Sequence, residues 1–366
     1  MDVITLLGSA IGDAIGKLMY NNLYEWVATW SSNWTLVGAF SVTVIIFTLF
    51  LKVIVSPLDV WQKVVTRKNA KKMEEMKPEL DKVTKQCGAN KELLMQKQRA
   101  VHKKYGYSTL SSCLPMIITM AVFFIVFAGF NSAVGMQQQT EYQRLEKVYD
   151  TAVSLEYESL VEDGTCEEIE TNGIITYKPL LEGTTEQSII DSARKSGEQA
   201  VLDNEKLEKF FFTKNIFVAD TWKSVIPSAA DFSNSRSKID VDPGKYDRVM
   251  SPLMDKYSGQ WNGFLMLPIV AFLINIASMK LNKMPEQPAM MGQTEEQQKA
   301  QKSQQKLMQY MMPVMMLVFA VMYSAAFTLY MVVNAALTTL FNLGFNIVAK
   351  RKDAIEKEKM LSTTVK

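Results

Sequence analysis

The feature that most constrains this chain is the separation of its charges from its apolar residues. No Asp, Glu, Lys or Arg occurs between Glu25 and Lys52, Lys104 and Glu141, Lys256 and Lys280, or Lys306 and Lys350. A soluble fold mixes polar and apolar residues with a period near 2 or 3.6, whereas an apolar run of ~18 residues marks a membrane helix. The last run, at ~1.5 Å per residue, would make a helix roughly 64 Å long. A hydrocarbon core is only ~30 Å thick. The run must therefore turn back once, and Ser324-Ala325-Ala326 is the expected turn.

These runs predict an all-α membrane protein with five transmembrane helices, at 34–56, 111–133, 261–280, 308–325 and 326–349. An amphipathic helix is expected over 1–33, with Ile4, Leu7, Ile11, Ile15 and Leu18 at helical spacing. It leads to Trp26, Trp30 and Trp34, an interfacial aromatic set. Residues 57–110 read as a basic helical hairpin with a turn at Cys87-Gly88-Ala89-Asn90 and a helix start or kink at Pro78. Residues 134–260 form an acidic, soluble insert, mainly helical over Gln187–Phe211, with a short strand within Gly173–Leu181 and a loop over Asp231–Gly244. Residues 281–307 read as a polar loop and 350–366 as a basic tail.

Lys and Arg mark the cytoplasmic side of membrane proteins. The basic segments 57–110, 281–307 and 350–366 are thus expected in the cytoplasm, and the N-terminus and acidic insert outside. A basic hairpin is either a solvated connector or a docking surface for anionic lipid or ribosomal RNA.

Cys87, Cys113 and Cys166 suggest no disulfide framework, and one histidine, His102, gives no basis for a metal site. No paired intramembrane carboxylate, HExxH, GxSxG or P-loop pattern appears, so neither an enzyme nor a cofactor is expected. The chemistry is expected at Lys52, which follows the apolar run Val44–Leu51. A charge within a span costs ~2.5–3.5 kcal/mol on insertion scales. Lys52 either snorkels to the headgroups or lines a wet cavity. Thr119, Asn275, Tyr330 and Asn334 are the other intramembrane polar candidates, although any one of them is more often a helix–helix hydrogen bond than a site. Met308, Met311, Met312, Met315, Met316, Met322 and Met331 make the last spans rich in a flexible, adaptable side chain.

The stretch Phe47–Leu58, with Lys52 five residues before Pro57-Leu58, resembles the first core span of the YidC/Oxa/Alb membrane protein insertases. Met76-Lys77-Pro78-Glu79-Leu80 resembles the start of that family's cytoplasmic hairpin, and Cys113-Leu114-Pro115 the opening of its second span. Asn215-Ile216-Phe217 with Asp220, Gln260-Trp261-Asn262-Gly263 and Leu267-Pro268-Ile269 resemble the approach to the third. Met311-Met312-Pro313 and Leu329-Tyr330 with Asn334 resemble the last two. The chain departs from the pattern in carrying Lys52 where the family usually has Arg, Ser112 for a Gly, Thr119 and Ala121 for a Gln and a Pro, and a longer segment over Gln137–Lys209.

The resemblance implies an insertase and membrane chaperone with a hydrophilic groove lined by Lys52, Thr119, Asn275, Tyr330 and Asn334. It implies nascent membrane proteins and the ribosome as partners, with the Sec translocon, the signal recognition machinery and anionic lipids as further ones, and no nucleotide. Two other readings use the same residues. A small-anion transporter or channel would bind its ligand at Lys52, and a structural assembly factor would act through the insert.

Overall fold

The structure is a computed structural model and describes residues 3–31, 34–87, 91–107, 109–171, 174–233, 241–281 and 295–364. Helices α1 (Val3–Lys17) and α2 (Glu25–Ser31) are joined by a π-helical stretch, Leu18–Tyr24. They are followed by α3 (Ala39–Cys87), α4 (Lys91–Lys104) and α5 (Thr109–Glu162). The hairpin β1 (Cys166–Thr171) and β2 (Ile174–Pro179) then precedes α6 (Glu186–Asp203), α7 (Ala229–Ser233) and α8 (Pro243–Lys256). Helices α9 (Met266–Leu281), α10 (Glu295–Met322) and α11 (Ala325–Thr364) complete the chain.

Among the described residues, three helices are long and apolar enough to cross a membrane: the parts Ala39–Val83 of α3, Ile117–Glu162 of α5 and Ala325–Lys352 of α11. Met266–Leu281 and Pro313–Met322 are shorter apolar helices. Protein buries only 39, 28 and 11 % of the apolar windows of the three long spans. The rest is surface that only a hydrocarbon solvent would favour.

The chain divides into two compact units. The first comprises residues 1–43, 127–266 and 323–327. Its core packs Tyr142, Leu145 and Tyr149 of α5 against Val201 of α6, Val225, Ile226, Phe232 and the α8 residues Tyr246, Val249 and Leu253. The sequence sets the ends of these helices. Thr185 and Ser188 form a reciprocal capping box on α6, and Asp242 caps α8 with Pro243 in its first turn. β1 and β2 pair antiparallel, from Cys166 opposite Pro179 to Thr171 opposite Ile174.

Helix α1 packs closely on α5 in this unit. A Cβ at Gly12 would lie 2.7 Å from Ala128 Cβ, and one at Gly16 would lie 2.8 Å from Ser132 Cβ. Ile15 covers Gly129, and the Ser132 hydroxyl donates to Asp13 at 3.1 Å. Gly12-Asp13-Ala14-Ile15-Gly16 is thus a small-xxx-small surface that lets two helix backbones approach. Ile11 and Leu18 stay exposed, as do Trp26, Trp30 and Trp34, whose rings stack edge to face at 5.7 and 5.5 Å.

The segment 208–226 joins the starts of three helices. Gly38 N–H donates to Lys209 O and Phe40 N–H to Glu208 Oε2 at the start of α3. Ala325 and Ala326 N–H donate to Val218 O and Ile216 O at the start of α11. Lys214 N–H donates to Asn262 O, just ahead of α9. The Gly38, Phe40, Ala325 and Ala326 amides are among the orphan donors that a helix N-terminus leaves open. At the centre, Asn262 is fully buried; its Oδ1 accepts from Asn215 N–H at 2.8 Å, and its Nδ2 donates to Asn215 O and Ala219 O, both at 2.9 Å.

Glu208 also accepts from the Tyr24 hydroxyl at 3.1 Å. Burial pushes its carboxyl above the usual range, against the pull of the Phe40 and Tyr24 hydrogen bonds, and the nearby Glu141 charge adds to the rise. The folded state then holds this proton more tightly than the unfolded chain does. Stability from Glu208 is therefore greatest below the ordinary Glu value of about 4.3 and falls as pH rises from there to the raised folded value. Glu208→Gln should flatten that dependence and raise the unfolding midpoint at neutral pH. Thermal unfolding followed from about pH 4 to pH 8 checks it.

The second unit comprises residues 44–126, 267–322 and 328–366. Its first apolar run and first basic arm are one 49-residue helix, α3, uninterrupted at Pro57 or Pro78. Pro57 lacks the N–H that would reach Val53 O, and the Ser56 hydroxyl donates to that carbonyl instead at 2.8 Å. The second arm, α4, ends on the first: Lys72 Nζ donates to Gly106 O at 2.7 Å and Lys104 pairs with Glu79 at 2.8 Å. The Lys104 ammonium holds the Glu79 carboxyl below its ordinary range. The pair is exposed, so it sets geometry more than stability. The turn expected at residues 88–90 lies outside the described residues, as does 282–294.

Two expectations from polarity alone give way to helix. Residues 295–307, read as loop, are the first part of α10, because Glu, Gln, Lys and Ala are all good helix formers. The helix expected to carry the second span does not end near residue 133 but runs on to Glu162, 54 residues in all. The break between the last two spans falls at Tyr323-Ser324.

Candidate functional site

A polar strip on α3, in the second unit, is the candidate site. Lys52 and Asp59 lie seven residues apart, which returns to almost the same helix face after two turns. Lys52 Nζ meets Asp59 Oδ2 at 2.6 Å, and the two side chains are 14 % and 21 % exposed. Lys52 Nζ also donates to Thr338 Oγ1 of α11 at 2.8 Å and lies 5.9 Å from the Phe341 ring centroid. Lys52 is therefore turned toward α11 and held by an anion, a hydroxyl and a ring face. One turn after Asp59, Gln62 accepts from the exposed Thr119 hydroxyl of α5 at 3.1 Å.

The facing side of α11 is also polar. Tyr330, Asn334, Thr338 and Asn342 recur every four residues, a strip that winds slowly around the helix. Tyr330 is buried and Asn334 half-buried. Asn342 is buried and its Oδ1 accepts no hydrogen bond from the described residues. A buried acceptor without a donor is costly, so its persistence points to a site that receives donors from elsewhere.

Of the five residues singled out in the sequence, Lys52, Asn334 and Tyr330 belong to these two strips, and Thr119 joins the α3 strip through Gln62. Asn275 does not extend this pattern: its amide nitrogen donates to Ala271 O of its own helix at 2.8 Å. The sequence reading missed Asp59 and Thr338. Asp59 counted there as one anion of a basic segment, although its seven-residue spacing from Lys52 was a usable signal. Thr338 was signalled by its four-residue spacing from Asn334.

A family model described as 60Kd inner membrane protein matches residues 32–156 and 208–352. The chain is 30 % identical over 103 residues to a membrane protein insertase YidC of Chloroherpeton thalassium, covering 28 % of this chain and 17 % of that protein. It is 29 % identical over 98 residues to the YidC insertase of Fusobacterium nucleatum, covering 27 % and 46 %. It is also 29 % identical over 102 residues to that of Clostridium perfringens, covering 28 % and 41 %. In each case the match spans less than half the length of the relative.

Proposed function

The chain belongs to the 60Kd inner membrane protein family, the YidC/Oxa/Alb group, and from that premise we propose that it is a membrane protein insertase and membrane chaperone. It is a multi-pass protein of the cell membrane. The observation that carries the proposal is that Lys52, at the end of the apolar run of α3, turns to a polar face of α11 and is only 14 % exposed. A snorkelling lysine would instead spend its length reaching water.

In this reading five spans surround a hydrophilic groove, with the basic segments in the cytoplasm and the acidic insert outside. The strips Lys52–Asp59–Gln62 and Asn334–Thr338–Asn342 are its walls. Polar walls lower the desolvation cost of a client's short translocated tail. The Lys52 charge attracts an acidic residue in that tail, more strongly as the local dielectric falls. The client's apolar helix then moves into lipid, driven by transfer of its side chains at about 25 cal/mol per Å². No nucleotide is consumed. The exposed cations of α3 and α4 recruit the ribosome or anionic lipid, and the Sec translocon and signal recognition machinery are further partners.

The Asp59 carboxylate weighs against an anion transporter, because a resident anion already occupies Lys52. Photocrosslinkers at positions 334 and 338 should label stalled nascent membrane proteins, and one at exposed position 155 of the insert should not. Equal labelling at all three would reject the groove.

A further inference from the structure

We propose that Asp59 is the resident counter-ion of Lys52, and that a client carboxylate engages the site by exchange with it. The inference rests on the insertase reading and names how its site is regulated. Lys52 and Asp59 are joined at 2.6 Å on one helix, so the pair forms without any client and its net charge is zero. A neutral pair draws free anions more weakly than a bare Lys52 would, even with Lys63 near enough to Asp59 to feel its charge. A client tail meets no such bar, because its carboxylate is delivered at high effective concentration once the helix is bound.

The geometry permits the exchange. Asp59 is 21 % exposed and can turn to water. Thr338 accepts a hydrogen bond from Lys52 through Oγ1, which leaves its own hydroxyl proton to be donated elsewhere. The incoming carboxylate would find both the ammonium and that hydroxyl.

Asp59 therefore sets how strongly the site favours acidic tails. If pairing with Asp59 outweighs the free state about fivefold, Lys52 is open about one-sixth of the time. Client affinity through Lys52 is reduced by that same factor. Removing the counter-ion should restore it.

The test uses the full chain in liposomes and two clients that differ only in the tail, one with two Asp and one with two Asn. The readout is the ratio of their insertion rates. Asp59→Asn should raise the acidic-to-neutral ratio about sixfold, and Asp59→Glu should leave it near the parent value. Lys52→Ala should lower it. An unchanged ratio in Asp59→Asn, with a lowered ratio in Lys52→Ala, overturns the counter-ion and leaves the groove standing. Unchanged ratios in both variants overturn the groove as well. Should Asp59→Asn fold poorly, Lys52→Ala with and without Asp59→Asn decides the matter. The double variant should insert the acidic-tailed client faster than Lys52→Ala alone, because no bare carboxylate is left to repel its tail, and equal rates overturn the proposal.

Discussion

Lys52→Ala should slow insertion of an acidic-tailed single-span client about tenfold or more, whereas Lys52→Arg should retain most of the rate. Tenfold corresponds to roughly 1.4 kcal/mol. Two effects combine in the Ala variant. The client loses its attracting charge, and the partly buried Asp59 loses its ion-pair partner. Arg keeps the charge and has the reach to meet both Asp59 and Thr338, although its planar fork spreads the donors differently. Protease protection of the client's tail in proteoliposomes measures the rate. An unchanged rate in Lys52→Ala would sink the groove role.

The second large effect is expected at Asn262. Asn262→Ala should lower the unfolding midpoint in detergent by about 6–12 °C, the shift for roughly 3 kcal/mol in a unit of this size. The side chain is fully buried and serves Asn215 N–H, Asn215 O and Ala219 O at once. Truncation leaves the buried Asn215 N–H without an acceptor, at about 1–3 kcal/mol, while Asn215 O and Ala219 O keep the Val218 and Thr221 amides as donors. Asn262→Asp should be no better, because a carboxylate keeps the acceptor and loses both donors. A midpoint shifted by less than a degree or two in Asn262→Ala would mean that segment 208–226 is not held by this amide.

The two sites differ in how far the sequence revealed them. The membrane helices were legible because lipid forbids charge over long stretches, and the gaps between Glu25 and Lys52 or Lys306 and Lys350 are that rule written out. Lys52 stood out for the same reason. Its partner did not, because summing the charges of residues 57–110 erases the helical phase that puts Asp59 beside it. Asn262 carried no physical signal of its own in the sequence. It was marked only by family resemblance, since burial of a polar side chain follows from three-dimensional packing of segments 47 residues apart. The Gly12–Gly16 pattern was visible and was passed over in favour of the apolar stripe beside it. The helix at 295–307 was missed because polarity was taken for irregularity, although its residue types favour helix.

The uninterrupted course of α5 bears on how such a chain acquires new sequence. The family model stops at residue 156, within the last two turns of α5, and resumes at Glu208, the residue that caps α3. What lies between is the end of that helix, the β1–β2 hairpin and α6. The remaining walls of the small core, from Tyr142, Leu145 and Tyr149 to Phe232, Tyr246 and Leu253, come from the matched parts. Evolution can therefore add material at the tip of a rod already anchored at its base. Growth there lengthens the protein without moving the three helix starts that segment 208–226 holds. An ancestral shape can persist beneath an accretion, much as a beam keeps its footing when a bracket is fixed to its free end.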